Sequence, residues 1–306
     1  MLTRATTLPT QPEISDHQLP FEGGAPPPKR SRRFAKVVLV AAVVFGLLGA
    51  WAFWLEPSSL ELCEHRLEIP NWPENLAGLR IAALADIHAG SPFNGLDKLE
   101  QIVALTNQSN PDIIVLLGDY VIDGVVGGAF VPPDKLAPVL AQLRAPLGVW
   151  AVLGNHDWWL DAELVRTTLE HHGIRVLEDS SAPIRRGSDE FWLTGIGDLW
   201  EGRADIPRAV REVPEDSAIV AITHNPDVFP DVPRRVNLLI AGHTHGGQVR
   251  IPFFGPPIVP SAYGRRFAAG HIVEDGRHLF VSSGLGTSIL AVRFLVPPEI
   301  SLLVIE

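Results

Sequence analysis

Short apolar runs alternate with amphipathic helical patterns between residues 79 and 172. Apolar runs bounded by turn residues predict buried strands, and apolar positions that recur with a period of 3.6 predict helices. The strands are predicted at 79–85, 113–117 and 149–153. The helices are predicted at 96–106, 134–143 and 162–172. Strands that alternate with helices in this way are typical of βαβ units, so we predict an α/β fold.

Strands dominate the chain after residue 175. They are predicted at 191–194, 218–223, 236–241 and 300–305, with a hairpin near residue 275, and an opening strand is predicted at 60–69. This number of strands implies a second sheet. The segment 246–270 has no periodic pattern and contains several Pro and Gly residues, which predicts a long loop.

The N-terminal residues predict a tail followed by a membrane anchor. Residues 1–28 are rich in Pro, Gln, Thr and Gly and contain few large apolar residues, which predicts disorder. A basic cluster at 29–36 precedes the uncharged run 37–55, which as a helix is just long enough to cross a bilayer. We therefore predict a disordered basic cytoplasmic tail (1–36), a transmembrane helix or uncleaved signal anchor (37–55) and a catalytic domain (56–306).

The charges beside this helix predict its orientation. Because positively charged flanks stay in the cytoplasm, the domain is expected on the periplasmic or extracytoplasmic side of the inner (cytoplasmic) membrane, as part of a single-pass protein. Two alternatives exist, since residues 50–52 fit a small-residue cleavage site and residues 31–34 resemble a twin-arginine signal. The apolar run is longer than a usual signal core, which favours a retained anchor.

The predicted domain is acidic. The chain has a formal net charge of −10, although its basic tail holds more Lys and Arg than Asp and Glu. An acidic domain repels a nucleic-acid backbone, so no nucleic-acid partner is expected, and no obligate protein partner is predicted either. The chain contains one cysteine, Cys63, which excludes an intramolecular disulfide.

Five polar clusters directly follow apolar runs, where strands are predicted to end. They are Asp86-Ile87-His88, Gly118-Asp119, Gly154-Asn155-His156-Asp157, His224-Asn225 and Gly242-His243-Thr244-His245. Successive βαβ units bring such strand ends to one sheet edge, so these side chains are expected to converge. The potential metal ligands among them are Asp86, His88, Asp119, Asn155, His224, His243 and His245.

This ligand set indicates a site for two divalent metal ions. A mixture of carboxylate, amide and imidazole suits Mn, Fe or Zn, whereas calcium and magnesium sites use oxygen almost alone. Seven ligands are too many for one ion, but two ions that share one carboxylate would receive four each and keep positions for a hydroxide and a phosphate oxygen. His156 cannot easily bind the ion that its neighbour Asn155 binds, so its imidazole is free to meet a substrate.

The order Asp-x-His, Gly-Asp, Gly-Asn-His-Asp, His and Gly-His-x-His resembles the calcineurin-like metallophosphoesterase superfamily over about residues 79–306. Stretches at 86–90, 242–248, 283–288 and 293–300 resemble its bacterial membrane-associated phosphodiesterase branch. The resemblance implies two packed mixed β-sheets flanked by helices, which agrees with the number of strands. It also implies a dinuclear-metal-dependent phosphoesterase, in first place a phosphodiesterase, in which a metal-bridging hydroxide attacks phosphorus.

The resemblance further assigns roles to individual residues. It divides the ligands into two groups, with the first metal on Asp86, His88 and His245, the second on Asn155, His224 and His243, and a bridge at Asp119. His156 would contact the scissile phosphate and assist the leaving group, and Asp157 would orient its imidazole.

Other functions of the same superfamily remain as alternatives. The segment 118–124 lacks the Asp-Arg-Gly pattern of metal-dependent protein phosphatases, which argues against that role. A pyrophosphate hydrolase acting on a UDP-2,3-diacylglucosamine type of lipid, and a non-catalytic metal-binding scaffold, are the two alternatives. Scaffolds tend to lose the histidine of this motif, so the presence of His156 argues against a scaffold. Nucleotide-linked lipids are made in the cytoplasm, so the side of the membrane on which the domain lies distinguishes the pyrophosphate hydrolase from the phosphodiesterase.

The long loop supplies candidate substrate contacts. The residues Arg250, Tyr263, Arg265 and Arg266 either bind a second phosphate or a headgroup or, as is usual for arginines in loops, are solvated. Phe253 and Phe254 in the same loop either contact lipid or pack on the core of the domain. The substrate is accordingly expected to be a phosphoester, either soluble or lipid-linked.

Overall fold

The computed structural model describes residues 31–306, so most of the predicted tail lies outside the described residues. Helix α1 (Ser31–Ala50) continues through a π-helical turn (Trp51–Leu55) into a short last turn, α2 (Glu56–Ser58). The segment Arg33–Ser58 is long and apolar enough to cross a membrane. The predicted anchor is therefore helical, and the helix extends beyond its predicted end.

The described part of the chain divides after Phe45, and Gly46–Glu306 forms a compact unit of its own. This unit contains two six-stranded mixed sheets. In spatial order, the first sheet consists of β1 (Glu61–Leu67), β12 (Glu299–Ile305), β2 (Leu79–Leu84), β3 (Ile113–Leu116), β4 (Val149–Ala151) and β5 (Arg175–Val176). The second consists of β10 (Gly270–Glu274), β11 (Arg277–Val281), β9 (Leu238–Ala241), β8 (Ile219–Ile222), β7 (Asp189–Gly195) and β6 (Ser180–Arg186).

The two sheets pack face to face around an apolar core. Ile81 and Val115 of the first sheet and Val220 and Leu238 of the second belong to the same buried cluster. Helices cover the other face of the first sheet, and they are α3 (Leu96–Gln108), α4 (Pro133–Leu140) and α5 (Asn155–His171). Short helical segments, including α6 (Ile206–Ala209) and the 3-10 turn Pro226–Asp231, cover the second sheet. The predicted α/β fold of two packed mixed sheets flanked by helices is confirmed.

Three details of the fold differ from the predictions. The last strand, β12, does not join the second sheet. It lies in the first sheet, where it pairs in parallel with β1 and antiparallel with β2. Strand β6 was not predicted, because this edge strand is mostly polar and only Ile184 is buried. Helix α5 begins at Asn155 rather than at residue 162, so the Gly-Asn-His-Asp motif forms its first turn.

Candidate metal centre

The ends of five strands bring the expected ligands together. Strands β2, β3 and β4 end shortly before Asp86, Asp119 and Asn155, and strands β8 and β9 end shortly before His224 and His243. The parallel pairing of β2 with β3 and of β3 with β4 places the first three ends at one edge. All seven expected ligand side chains are buried.

The ligand atoms form two groups with Asp119 between them. In the first group, Nε2 of His245 lies 3.2 Å from Nε2 of His88 and 3.6 Å from Oδ1 of Asp86. In the second group, Nε2 of His224 lies 3.1 Å from Nδ1 of His243. Oδ2 of Asp119 lies 3.5 Å from the Nε2 atom of His88 and 3.3 Å from that of His224.

Asn155 extends the second group. Its Oδ1 atom lies 3.2 Å from Nε2 of His224, and its side chain projects from the first position of α5. The structure therefore brings together all seven residues that the sequence indicated, with each histidine and the amide in the group expected for it.

Backbone carbonyls orient two of the imidazoles. Nδ1 of His88 faces the carbonyl oxygen of Val121 at 3.1 Å, and Nδ1 of His224 faces that of Leu117 at 2.7 Å. A neutral ring that donates its Nδ1 proton to a carbonyl has a lone pair on Nε2. On His88 this lone pair lies 3.5 Å from Oδ2 of Asp119, and two acceptor atoms that face each other in a buried site are favourable with a cation between them.

The charges in the site also suit a divalent metal. Burial lowers the pKa of His88 to about 4 and that of His243 to about 3, so both rings are neutral and available as ligands. Although burial opposes the shift, the charge of Asp119 raises the pKa of His224 to about 10. The carboxylate of Asp119 thus attracts positive charge to the point that both groups share, and the residues present fit divalent metal ions.

The backbone is strained at most of these ligands. Five of the seven have φ angles in the left-handed region, at 43° to 70°, and they are Asp86, His88, Asp119, His243 and His245. Residues other than glycine rarely adopt this conformation, and it persists where the surrounding structure imposes it, often at functional sites. The fold therefore holds the ligand side chains in orientations that an ordinary strand or helix would not give.

Asp157 does not contact the imidazole of His156. Its Oδ2 atom accepts the amide protons of Gly154 at 2.9 Å and of Asp119 at 2.8 Å, and its Oδ1 atom accepts that of Tyr120 at 2.9 Å. Nδ1 of His156 has no hydrogen-bond partner in the described part of the chain. The expectation that Asp157 orients His156 is therefore wrong. Its carboxylate instead joins the turn after β3 to the first turn of α5.

A cavity of about 300 Å³ opens beside the ligands. Nε2 of His156 lies 3.9 Å from Oδ2 of Asp119, on the wall of this cavity. Two half-exposed tryptophans also line the cavity. The ring centroid of Trp159 lies 4.7 Å from that of His156, and the ring centroid of Trp200 lies 4.3 Å from that of His243. Sequence reasoning missed both tryptophans, although Trp159 stands only two positions after the Gly-Asn-His-Asp motif.

The candidate substrate contacts of the long loop lie outside the lining of this cavity. Arg265 donates to the backbone carbonyls of Pro256 and Phe254, and Arg266 pairs with the carboxylate of Glu274. The ring of Tyr263 packs 4.9 Å from that of Phe267, and Arg250 is exposed. Arg265 is thus occupied within the loop, Arg266 pairs with a residue of β10 and Arg250 faces solvent, so the structure does not bring these four residues to the candidate site.

A buried arginine supports the turn behind the first ligand group. The guanidinium of Arg293 is fully buried and donates to the carbonyls of Ser283, Gly284, Gly286 and Val296. The amide of Gly286 in turn donates to the carbonyl of Asp86 at 2.7 Å. Sequence reasoning used Arg293 only as part of a motif, since nothing in its neighbourhood along the chain indicated that its partners are carbonyl groups.

The chain is similar to known phosphoesterases. Residues 79–247 match the family described as calcineurin-like phosphoesterase. The chain is 34% identical to phosphodiesterase YaeI of Escherichia coli (strain K12), over 89% of this chain and 97% of YaeI. It is 30% identical to the uncharacterized metallophosphoesterase YkuE of Bacillus subtilis (strain 168), over 91% of this chain and 98% of YkuE. It is 27% identical to the UDP-2,3-diacylglucosamine pyrophosphatase LpxG of Chlamydia muridarum, over 87% of this chain and 94% of LpxG.

These matches confirm the resemblance that the five polar clusters indicated. The family match covers more than half of the chain, and it includes each of the seven candidate ligands. With relatives that align over nearly their whole length as well, this chain belongs to the calcineurin-like phosphoesterase family.

Proposed function

We propose that the chain is a dinuclear-metal-dependent phosphodiesterase. The observation that carries the proposal is the position of Asp119, whose Oδ2 atom lies within 3.5 Å of ligand nitrogens in both groups. One carboxylate is therefore available to two metal positions. A site of this kind holds two cations close enough to act on one phosphoryl group.

The ligands divide between the two metals. One ion would bind the first group and the other the second, with the groups made up of Asp86, His88 and His245, and of Asn155, His224 and His243, around the shared Asp119. Divalent Mn, Fe or Zn ions held there would neutralise charge on the phosphoryl oxygens and make a water acidic enough to act as a nucleophile.

His156 is the residue that we assign to the leaving group. Its imidazole is buried and faces the cavity, and although it is within reach of an ion beside His88 and Asp119, each metal has four ligands without it. Because His156 follows Asn155 in the first turn of α5, its ring is held next to the metal positions by the same helical turn. We infer that it contacts the scissile phosphate and donates a proton to the departing oxygen.

The cavity favours a diester with an apolar group over a nucleotide diphosphate. Among the described residues that line it, none is Lys or Arg, whereas Trp159, Trp200, Ile258 and Ile289 supply apolar surface. A second phosphate would find no cationic partner there. This composition supports a substrate that has one phosphoryl group and an apolar part, such as a lipid-linked phosphodiester.

We further propose that the domain faces the periplasmic or extracytoplasmic side of the inner membrane. The basic residues before the helix, including Arg33 and Lys36, favour a cytoplasmic position for the N-terminal flank. The domain boundaries at residues 36 and 55 belong to the same proposal. The described helix runs to Ser58, three residues past the proposed boundary, which supports a direct connection between the helix and the domain.

The second candidate function is pyrophosphate hydrolysis of a UDP-2,3-diacylglucosamine type of lipid. The relative LpxG, which is named for that activity, favours it. The lack of a cation in the described cavity lining argues against it. The two candidates also differ in topology, because a nucleotide-linked lipid requires a domain on the cytoplasmic side.

The test combines metal analysis with a substrate panel. The purified full-length chain, loaded with Mn, Fe or Zn, is expected to bind close to two metal equivalents and to hydrolyse bis(p-nitrophenyl) phosphate faster than p-nitrophenyl phosphate or a nucleotide diphosphate lipid. Asp119→Ala is expected to lose both metals. Asp123→Ala is the matched control, since Asp123 lines the cavity but belongs to neither ligand group. Full metal content in Asp119→Ala would contradict the shared-carboxylate assignment.

A further inference from the structure

Exposed apolar side chains lie on the two loops that contribute Ile258 and Ile289 to the cavity wall. We call them the apolar rim, which consists of Phe253, Phe254, Ile258, Ile289, Leu290 and Leu295. Phe253 is fully exposed, and Ile258 and Ile289 are more than 70% exposed while they also line the cavity. The alternative that the two phenylalanines pack in the core of the domain is therefore wrong. A patch of exposed apolar groups is unfavourable in water, so this surface is suited to an apolar environment.

The backbone directs these side chains outwards at a cost. Phe253, Ile289 and Leu295 have φ angles of 68°, 63° and 57°. The left-handed conformation is unfavourable for a bulky residue and still more for a β-branched residue such as isoleucine. Three rim residues thus hold a strained backbone while their side chains remain exposed, which points to a role outside the domain's own packing.

Hydrogen bonds connect the two loops that carry the rim. The amide of Phe294 donates to the carbonyl of Gln248, and the amide of Arg250 donates to the carbonyl of Phe294. The side chain of Gln248 accepts the amide proton of Ser288 at 2.6 Å. The rim is therefore one connected surface and not two independent loop tips.

The same surface is bonded to the end of the membrane-span candidate. The amide of Arg293 donates to the carbonyl of Ala52 at 2.9 Å, and the amide of Val296 donates to the carboxylate of Glu56. Trp51 donates to that carboxylate from the other side. Ala52 and Glu56 belong to the last turns of Arg33–Ser58. The loop that carries Ile289, Leu290 and Leu295 is therefore in direct contact with the end of the span.

We propose that the apolar rim inserts into the bilayer leaflet in which the helix ends, so that the cavity opens towards the lipid. The occupant of this surface is the membrane itself, and the substrate is an amphiphilic phosphodiester that enters from the bilayer with its apolar part between Ile258 and Ile289. The insertion is independent of the chemistry, whereas the choice of substrate rests on the proposed phosphodiesterase function. Tryptophans at the end of the span, such as Trp51 and Trp54, are typical of the interfacial depth at which the rim would lie.

The insertion is tested by measuring depth, without an activity assay. The full-length chain with Cys63→Ala and Phe253→Cys carries a nitroxide and is placed in nanodiscs of phosphatidylcholine and phosphatidylglycerol. A second protein with Cys63→Ala and Val273→Cys is the matched control, because Val273 is an exposed apolar residue on β10 and lies outside the rim. We expect the label at position 253 to collide more with oxygen than with a water-soluble nickel chelate, and the label at position 273 to do the reverse. The same aqueous behaviour at both positions would overturn the insertion.

The substrate part is tested by comparing two phosphodiesters. Phe253→Ser with Phe254→Ser is expected to lower hydrolysis of a fluorescent glycerophosphodiester lipid embedded in phosphatidylcholine–phosphatidylglycerol vesicles about tenfold, relative to hydrolysis of soluble bis(p-nitrophenyl) phosphate. Val273→Ser is the control and should leave that ratio unchanged. Equal losses on both substrates would overturn the lipid-side entry. Wild-type protein that hydrolyses neither diester, although the label at position 253 lies in the bilayer, would refute the phosphodiesterase function and leave the insertion supported.

Discussion

The carboxylate of Asp157 provides the sharpest test of how the site is held together. In the structure it accepts three backbone amides, from Gly154, Asp119 and Tyr120, and it does not touch His156. Replacement by alanine leaves these three buried N–H groups without their acceptor. We therefore expect Asp157→Ala to act mainly on stability and on the position of the metal ligands, and not on the imidazole directly.

The magnitude follows from these three bonds. A hydrogen bond to a charged group contributes about 1.5–3 kcal/mol to stability, and each unsatisfied buried donor costs about 1–3 kcal/mol. The removed carboxylate was itself costly to bury, since burial raises the pKa of Asp157 to about 7, and this offsets part of the loss. We expect Asp157→Ala to lower the free energy of unfolding by about 3–5 kcal/mol, a large part of the 5–15 kcal/mol typical of a domain. Asp157→Asn keeps one acceptor oxygen and should cost less.

The assay is denaturant unfolding of the full-length protein in detergent after chelation of metals, because bound metal would add to the apparent stability. Asp134→Ala is the control, since Asp134 is an exposed aspartate in the first turn of α4 and its loss should change the free energy by about 0.5 kcal/mol or less. Metal content and turnover of the folded protein are measured in parallel. Asp157→Ala with wild-type stability, wild-type metal content and strongly reduced turnover would refute this reasoning and restore the role of orienting His156.

Three further predictions concern the chemistry, the packing and the topology. His156→Ala should retain its metals while turnover falls by about 10²–10⁴-fold, and unchanged turnover would remove this residue from the mechanism. Gly154→Ala should prevent metal binding, because a Cβ atom there would lie 2.6 Å from the backbone nitrogen of Asp119 and 2.8 Å from Nδ1 of His224; elemental analysis that finds full metal content would contradict this. A reporter that is active only outside the cytoplasm, fused after Glu306, should be active, and activity of a cytoplasm-only reporter at that position would favour the nucleotide-lipid substrate.

The sequence alone was sufficient for the fold class and for the seven polar residues that converge, whereas their division into two groups came from the resemblance to the family. Each ligand stands within a few residues of a strand end, such as Asp86 after β2 and His243 after β9. The direction of parallel strands then determines which edge the ligand reaches, so local patterns and strand order together predict convergence. The helix at 37–55 was predictable for a similar reason, because its apolar run is continuous along the chain.

Only the tertiary structure decided which groups these residues meet. Asp157 bonds to amides 37 and 38 positions away, and Arg293 reaches carbonyls of a separate turn, and neither partner leaves a mark in the local sequence. Strand β12 pairs between β1 and β2 because a parallel and an antiparallel neighbour satisfy both of its edges, which its own composition does not reveal. The exposure of Phe253 was likewise undecided, since the same apolar letters describe a core residue and a rim residue. Hydrophobic periodicity reports which residues avoid water, whereas hydrogen-bond partners across the fold, and the side of the surface on which an apolar loop lies, depend on the packing of segments that are distant in the chain.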